Sequence, residues 1–127
     1  MPTILVVDDE AGIVEGLSEG LRACGYAVLT ASDGADAIQL LRSASTQPDA
    51  VLMDLGMPKM SADELVSSLR SIAPDVPLIA MTGYVDPKVH AQVLRMGMRQ
   101  ILQKPFDLDE LLHCLEDLGE NTAQGDA

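Results

Sequence analysis

Charged and hydroxyl side chains follow four short apolar segments of this chain. Asp8 and Asp9 follow the first segment, Asp54 the second, Thr82 the third, and Lys104 comes shortly after the fourth. The segments are residues 4–7, 50–53, 78–81 and 101–102. If they are strands of one parallel sheet, the five side chains meet at the edge formed by the carboxyl ends of the strands, where such sheets bind ligands.

This set of side chains suits phosphoryl transfer. Three neighbouring carboxylates repel one another unless a cation lies among them, and their hard oxygen atoms favour Mg2+. Asp54 can then act as a nucleophile that forms an acyl phosphate, with Thr82 and Lys104 donating to the phosphoryl oxygens. Each residue alone has an ordinary explanation, such as a helix cap or a turn. Their joint occurrence at four consecutive strand ends favours the functional interpretation.

The elements that position these residues alternate between strands and helices. Segments that are apolar at consecutive positions are typical of parallel strands buried on both faces, and residues 26–30 add a fifth strand. Helix starts are predicted at Asp33, Ser61, Asp86 and Asp107, and helix ends at Gly25 and Gly97. The predicted fold class is therefore α/β, an open five-stranded parallel sheet of the (βα)5 flavodoxin-like type with helices on both faces.

Two finer predictions concern the last two helices. The fourth helix is expected to bury Val89, Val93, Leu94 and Met96. The fifth is expected to end before Gly119, so that residues 1–119 form the domain and residues 120–127 a flexible tail.

Four segments of the chain resemble the receiver domain of two-component response regulators. They read ILVVDDE at 4–10, VLMDLGMPKM at 51–60, MTG at 81–83 and QKPF at 103–106. The resemblance implies the receiver fold and phosphorylation of Asp54 by the phosphohistidine of a sensor histidine kinase or a His-phosphotransfer domain. It implies that Asp9 and the main-chain carbonyl of Gly56 ligate Mg2+ directly, that Asp8 acts through water, and that Asp54 belongs to the metal site. It also implies a cis peptide bond between Lys104 and Pro105.

Three positions depart from the family pattern, and one of them is Ala62, which replaces the Gly common after the Pro-x-Met segment. Ile101 stands where the family usually carries an aromatic residue that turns inward when the threonine moves. Tyr84 lies two residues after Thr82, in a run that resembles receivers fused to hybrid sensor kinases. We expect any conformational signal to pass through the loop that contains Thr82, Gly83 and Tyr84 rather than through Ile101.

Composition limits the partners and the compartment. The chain has 127 residues, a hydrophobic fraction of 47% and a formal net charge of −12, so we expect one folded domain that does not bind nucleic acid. The sequence shows no signal peptide and no membrane span, which predicts a cytoplasmic protein without a membrane partner. Cys24 and Cys114 are expected as reduced thiols on apolar helix faces.

Three alternatives stay open at this point. A Mg2+-dependent phosphohydrolase with an aspartyl nucleophile would want a second acid two residues after Asp54, where Gly56 stands, and a cap domain. A flavodoxin-like FMN module would need a hydroxyl- and glycine-rich phosphate loop after the first strand. An adaptor that has lost phosphorylation would lack one of the strand-end residues. The favoured interpretation is a signalling phosphoacceptor with slow self-dephosphorylation at most, whose output passes to a downstream protein or a fused module.

Overall fold

The computed structural model describes residues 2–43, 45, 47–56, 61–83, 86–98 and 100–126, with side-chain surroundings for all of these except Ala62 and residues 118–126. Tyr84 and the MPKM part of the second motif lie outside these ranges. Strands and helices alternate along the described chain. The strands are β1 Thr3–Val7, β2 Ala27–Ala31, β3 Ala50–Asp54, β4 Leu78–Thr82 and β5 Gln100–Gln103. The helices are α1 Ala11–Ala23, α2 Gly34–Ser43, α3 Ala62–Ile72, α4 Pro87–Arg95 and α5 Leu108–Asp126.

The five strands form one parallel sheet in the order β2-β1-β3-β4-β5. The central strand β3 is buried along its whole length, whereas the edge strands β2 and β5 are partly exposed. Successive side chains of a strand point to opposite faces, so a strand covered on both faces must be apolar at consecutive positions. The predicted α/β fold with a five-stranded parallel sheet is confirmed.

Two hydrophobic clusters cover the two faces of the sheet. One contains Leu5 and Val7 of β1 and packs under α2, α3 and α4. The other contains Ile4 and Val6 of the same strand and packs under α1 and α5. Helices therefore cover both faces, and the carboxyl ends of the strands are left open between them.

Side-chain caps fix where four of the helices begin. The capping residues Asp33, Ser61, Asp86 and Asp107 each accept a hydrogen bond from the main-chain amide three residues later, at 2.8, 3.2, 2.8 and 2.9 Å respectively. Such caps satisfy amide groups that have no partner inside the helix. Gly25 and Gly97, just after α1 and α4, have φ angles of +96° and +76°, a region that glycine enters without strain. These predicted boundaries are confirmed.

Three finer predictions are wrong. Leu94 is 59% exposed because α4 packs against the core through Val89 and Val93, followed by Met96 just after the helix, and Leu94 falls beside this stripe. Helix α5 continues past Gly119 to Asp126, because a glycine lowers helix propensity without forbidding helix. The third wrong prediction places Cys24 on an apolar helix face, whereas it is exposed; Cys114 is partly buried and both thiols are free, as expected.

The flexibility of residues 120–127 and the domain boundary at residue 119 stay predictions. Within the described ranges, no helix combines the length and the apolar character needed to cross a membrane.

Candidate functional site

The strand register brings the predicted residues to one edge of the sheet. Val7 of β1 pairs with Met53 of β3, so Asp8 and Asp54, the next residue of each chain segment, lie side by side. The strand order reverses direction between β1 and β3, and a crevice opens at such a switch point in open parallel sheets. The site therefore lies where the topology leaves room for a ligand.

Lys104 reaches this crevice from the segment that follows the edge strand β5. It follows Gln103 of β5, which pairs with Thr82 of β4, and its main-chain amide donates to the Thr82 carbonyl at 2.7 Å. Its Nζ atom lies 2.9 Å from Asp8 Oδ2 and 3.4 Å from Asp54 Oδ2. The peptide bond between Lys104 and Pro105 is cis, as predicted.

Main-chain amides hold the other oxygen atom of each aspartate. Asp8 Oδ1 accepts from the Glu10 amide at 3.0 Å, and Asp54 Oδ1 accepts from the Gly56 amide, also at 3.0 Å. Each of these turns spans two residues, so the loop after each strand orients the carboxylate that precedes it. Both Oδ2 atoms are thereby directed towards the lysine.

The electrostatic environment favours a charged lysine. Burial is the largest influence on the pKa of Lys104 and acts to lower it. The hydrogen bond to Asp8 and the charges of Asp54 and Asp8 act in the opposite direction, and together they raise the pKa of Lys104 above its ordinary value. Asp8 and Asp54 are only 1% and 8% exposed, so the ammonium compensates two nearly buried carboxylates.

Four carboxylates converge at this edge, one more than the sequence analysis predicted. Oxygen atoms of Asp8, Asp9, Glu10 and Asp54 all lie within 4.8 Å of one another. Since one ammonium cannot balance four carboxylates, the cluster retains excess negative charge. An all-oxygen set of this kind matches the ligands that Mg2+ prefers, so the donor chemistry fits the predicted metal.

Comparison with protein families identifies the arrangement. The family model described as the response regulator receiver domain matches residues 4–116. The chain is a response regulator receiver domain. The match includes every strand end described above.

Curated relatives agree with this assignment. The response regulator MprA of Mycolicibacterium vanbaalenii is 37% identical over 123 residues, which are 97% of this receiver domain and 52% of the relative. The transcriptional regulatory protein PrrA of Mycobacterium leprae is 36% identical over 111 residues, 87% of this chain and 47% of that protein. The receiver domain therefore spans about half the length of these relatives.

A solved structure shows the same fold. The response regulator protein TrrA of Thermotoga maritima, in complex with Mg2+-BeF, is 32% identical with a TM-score of 0.80. The match covers 93% of this receiver domain and 99% of the TrrA chain.

The receiver domain brings together the residues predicted from sequence, with one addition. Asp8 and Asp54 pair with Lys104, and a carboxylate oxygen of Asp9 lies within 4.8 Å of both aspartates. Thr82 ends the strand that lies between Asp54 and Lys104. Glu10 was not among the predicted site residues, although it directly follows Asp8 and Asp9 in the first motif. That adjacency places Glu10 near the site, but it does not determine the direction of the side chain.

Ile101, the position that departs from the family pattern, is half-buried in β5. It packs against the cluster under α2, α3 and α4. The expectation that Ile101 stays in place during activation therefore has a packing reason, and it stays a prediction. Tyr84, another departure, lies outside the described residues. The predicted role of its loop in activation stays a prediction.

Proposed function

We propose that this receiver domain accepts a phosphoryl group on Asp54 from the phosphohistidine of a sensor histidine kinase or a His-phosphotransfer domain. The observation that carries the proposal is the 3.4 Å approach of Lys104 Nζ to Asp54 Oδ2 at the carboxyl edge of the sheet. A nearly buried carboxylate with an ammonium beside one oxygen has both the nucleophile and a donor for the transferred group.

The chemistry requires one bond exchange. An oxygen of the Asp54 carboxylate attacks phosphorus, the phosphorus–nitrogen bond of phosphohistidine breaks, and the imidazole nitrogen leaves with the electron pair. The product is an acyl phosphate on Asp54. Lys104 and Thr82 would then donate to the phosphoryl oxygens, as positioning and charge stabilisation account for most catalysis of phosphoryl transfer.

Mg2+ is the proposed cofactor. Asp8, Asp9, Asp54 and the main-chain carbonyl of Gly56 would hold it, with Asp8 acting through water. The carboxylate cluster supports this assignment, as does TrrA, whose structure contains Mg2+-BeF. Bound Mg2+ would offset the charge of the carboxylates and of the phosphoryl oxygens.

The proposed role is a switch rather than an enzyme that turns over a metabolite, with slow self-dephosphorylation at most. The signal would pass to a downstream protein or a fused module, in keeping with relatives of about twice this length. With a net charge of −12, the receiver domain itself is not expected to bind nucleic acid. Fusion to a hybrid sensor kinase and a cytoplasmic location stay predictions.

Phosphorylation with acetyl phosphate and Mg2+ tests the acceptor. Intact mass should rise by one phosphate, and the adduct should be lost at alkaline pH, as an acyl phosphate is. Asp54→Asn should abolish the mass shift and Asp75→Asn, which removes an exposed carboxylate far from the site, should retain it. A phosphate adduct on Asp54→Asn would show that the acceptor lies elsewhere.

A further inference from the structure

Glu10 occupies the N-cap position of α1 and does not cap the helix. Its φ and ψ angles of −92° and 104° are those of a cap residue, yet its side chain makes no capping hydrogen bond. Serine, threonine, aspartate or asparagine would be the favoured residues at such a position. The Glu10 carboxylate instead lies 3.6 Å from Lys104 Nζ, so its side chain contributes to the site rather than to the helix end.

The exposure of Glu10 distinguishes it from the other acids that contact Lys104. The Glu10 side chain is 61% exposed, whereas those of Asp8 and Asp54 are 0% and 9% exposed. Glu10 therefore adds its charge on the solvent side of the carboxylate cluster. Since carboxylate oxygens of Glu10 and Asp54 lie within 4.8 Å of each other, an ion that reaches Asp54 comes within range of this charge.

We propose that Glu10 selects by charge at the phosphoacceptor site: it strengthens Mg2+ binding and slows phosphorylation by small, doubly charged phosphate donors. This inference rests on the proposed function of Asp54. A protein that carries phosphohistidine can offset the repulsion through its docking contacts, whereas a free anion cannot. Glu10 would thereby favour transfer from a docked partner over modification by metabolites.

The expected size of the effect follows from Coulomb's law. At a separation of about 4 Å, one unit charge changes the affinity or the rate for a singly charged ion by roughly fivefold, even with the dielectric constant of water. At about twice this separation, a doubly charged ion experiences an effect of similar size, so we expect changes of about three- to tenfold. Screening should reduce these changes at high salt, because the Debye length falls from about 10 Å at 0.1 M to about 3 Å at 1 M.

Three variants separate charge from contact. Glu10→Gln removes the charge and keeps the shape, and Glu10→Asp keeps the charge but shortens the reach to Lys104. Glu15→Gln is the matched control. Glu15 is exposed on the next turn of α1 and lines the same depression as Asp8 and Asp9, but it is not part of the carboxylate cluster.

The first measurement is the Mg2+ affinity of each variant by titration calorimetry, at low and at high NaCl. Glu10→Gln should weaken binding about three- to tenfold at low salt and less at high salt. Glu10→Asp and Glu15→Gln should stay close to wild type. Because this measurement involves no phosphate, it does not depend on phosphorylation of Asp54.

The second measurement is the phosphorylation rate at saturating Mg2+. Acetyl phosphate should react about three- to tenfold faster with Glu10→Gln than with wild type. Phosphoramidate, which carries one negative charge fewer at neutral pH, should show a clearly smaller increase. The inference is overturned if Glu10→Gln matches Glu15→Gln in both measurements, or if both donors change equally at every salt concentration. A wild-type protein that is not phosphorylated on Asp54 would overturn the proposed function itself.

Discussion

At the scale of single residues, Lys104 links three of the carboxylates of the site. Its ammonium lies within 3.6 Å of carboxylate oxygens of Asp8, Glu10 and Asp54. These ion pairs connect the edge strand β5 with the ends of β1 and β3. Because a phosphoryl group on Asp54 would offer the same ammonium new negative oxygens, we expect phosphorylation to draw Lys104 away from some of these partners.

Asp9 and Asp8 should contribute differently to Mg2+ binding. Asp9 is exposed, and Asp9→Ala is expected to abolish Mg2+ binding and phosphorylation together, since the site loses its proposed direct ligand. Asp8→Ala should weaken Mg2+ binding less, because Asp8 is proposed to act through water. Without Mg2+ it should change the free energy of unfolding by only about 1 kcal/mol or less, because Lys104 keeps Asp54 and Glu10 as partners and the loss of Asp8 relieves repulsion within the carboxylate cluster.

Titration calorimetry with Mg2+ and urea denaturation of the two variants check this pair of expectations. Equal Mg2+ affinity in wild type and Asp9→Ala would contradict the assignment of the direct ligand.

The two cysteines should differ in reactivity. Burial raises the pKa of the Cys114 thiol, and the charges of Asp117 and Glu110 raise it further, whereas Cys24 is exposed. A raised thiol pKa means a smaller thiolate fraction at a given pH, so Cys114 should be alkylated slowly near neutral pH. The same shift lowers stability as pH rises above the pKa of the unfolded thiol, since the unfolded state then loses its proton first.

Iodoacetamide labelling of a Cys24→Ser variant, which leaves Cys114 as the only thiol, measures this effect across the alkaline range. The pH at which the alkylation rate is half-maximal should be higher in the folded protein than in the same variant unfolded in guanidinium. Equal midpoints would show that the fold does not perturb this thiol.

At the scale of elements, the sequence predicted the features that depend on residues close together in the chain, such as the starts of helices. Cap residues such as Ser61 and Asp86 bind their own helix, so their effect can be predicted from neighbours in sequence. The exposure of Leu94 depends on which side of α4 meets the sheet, which is a tertiary property. The end of α5 depends on small differences in propensity around Gly119, which no strong stop signal decides.

Helix α1 offers a test of how glycine affects this fold. A Cβ atom added at Gly16 would meet no atom within 4 Å, so Gly16→Ala should stabilise the protein by about 0.5–1 kcal/mol. A Cβ atom at Gly20 would lie 3.2 Å from a terminal methyl carbon of Leu108, at the contact between α1 and α5. Gly20→Ala should therefore give a smaller gain or a loss.

Urea denaturation followed by circular dichroism ranks the two glycine variants. Leu108→Ala, added to the wild type and to Gly20→Ala, removes the crowding at position 20. In this background Gly20→Ala should raise the free energy of unfolding more than it does with Leu108 intact. If Gly20→Ala proves as stabilising as Gly16→Ala with Leu108 intact, the contact between α1 and α5 is looser than the structure indicates.

At the scale of the whole molecule, topology made most of the site predictable. A parallel sheet places every strand end on one edge, so Asp8, Asp54, Thr82 and Lys104 could be assigned together before any distance was known. The contribution of Glu10 could not be predicted in the same way. It depends on the direction of a side chain that commonly faces solvent, and only coordinates show it turned towards Lys104.

The excess of acidic residues leads to a final prediction about stability. The chain has 20 acidic and 8 basic residues, so the folded state carries self-repulsion that NaCl should screen. We expect the melting temperature to rise with NaCl in wild type and in Asp9→Ala alike. Mg2+ at the same ionic strength should add a further increment in wild type only, because a ligand that binds the folded state stabilises it by mass action.

The corresponding gain in the free energy of unfolding is expected to reach about 2.7 kcal/mol when free Mg2+ is a hundred times its dissociation constant. Thermal melts of wild type and Asp9→Ala in MgCl2 and in NaCl of matched ionic strength separate the two contributions. If MgCl2 stabilised both proteins equally, Mg2+ would be acting on the general surface charge, and the metal would not belong to the carboxylate cluster. If only the wild type gains, Mg2+ acts at the carboxylate cluster, and Asp9 is needed to bind it there.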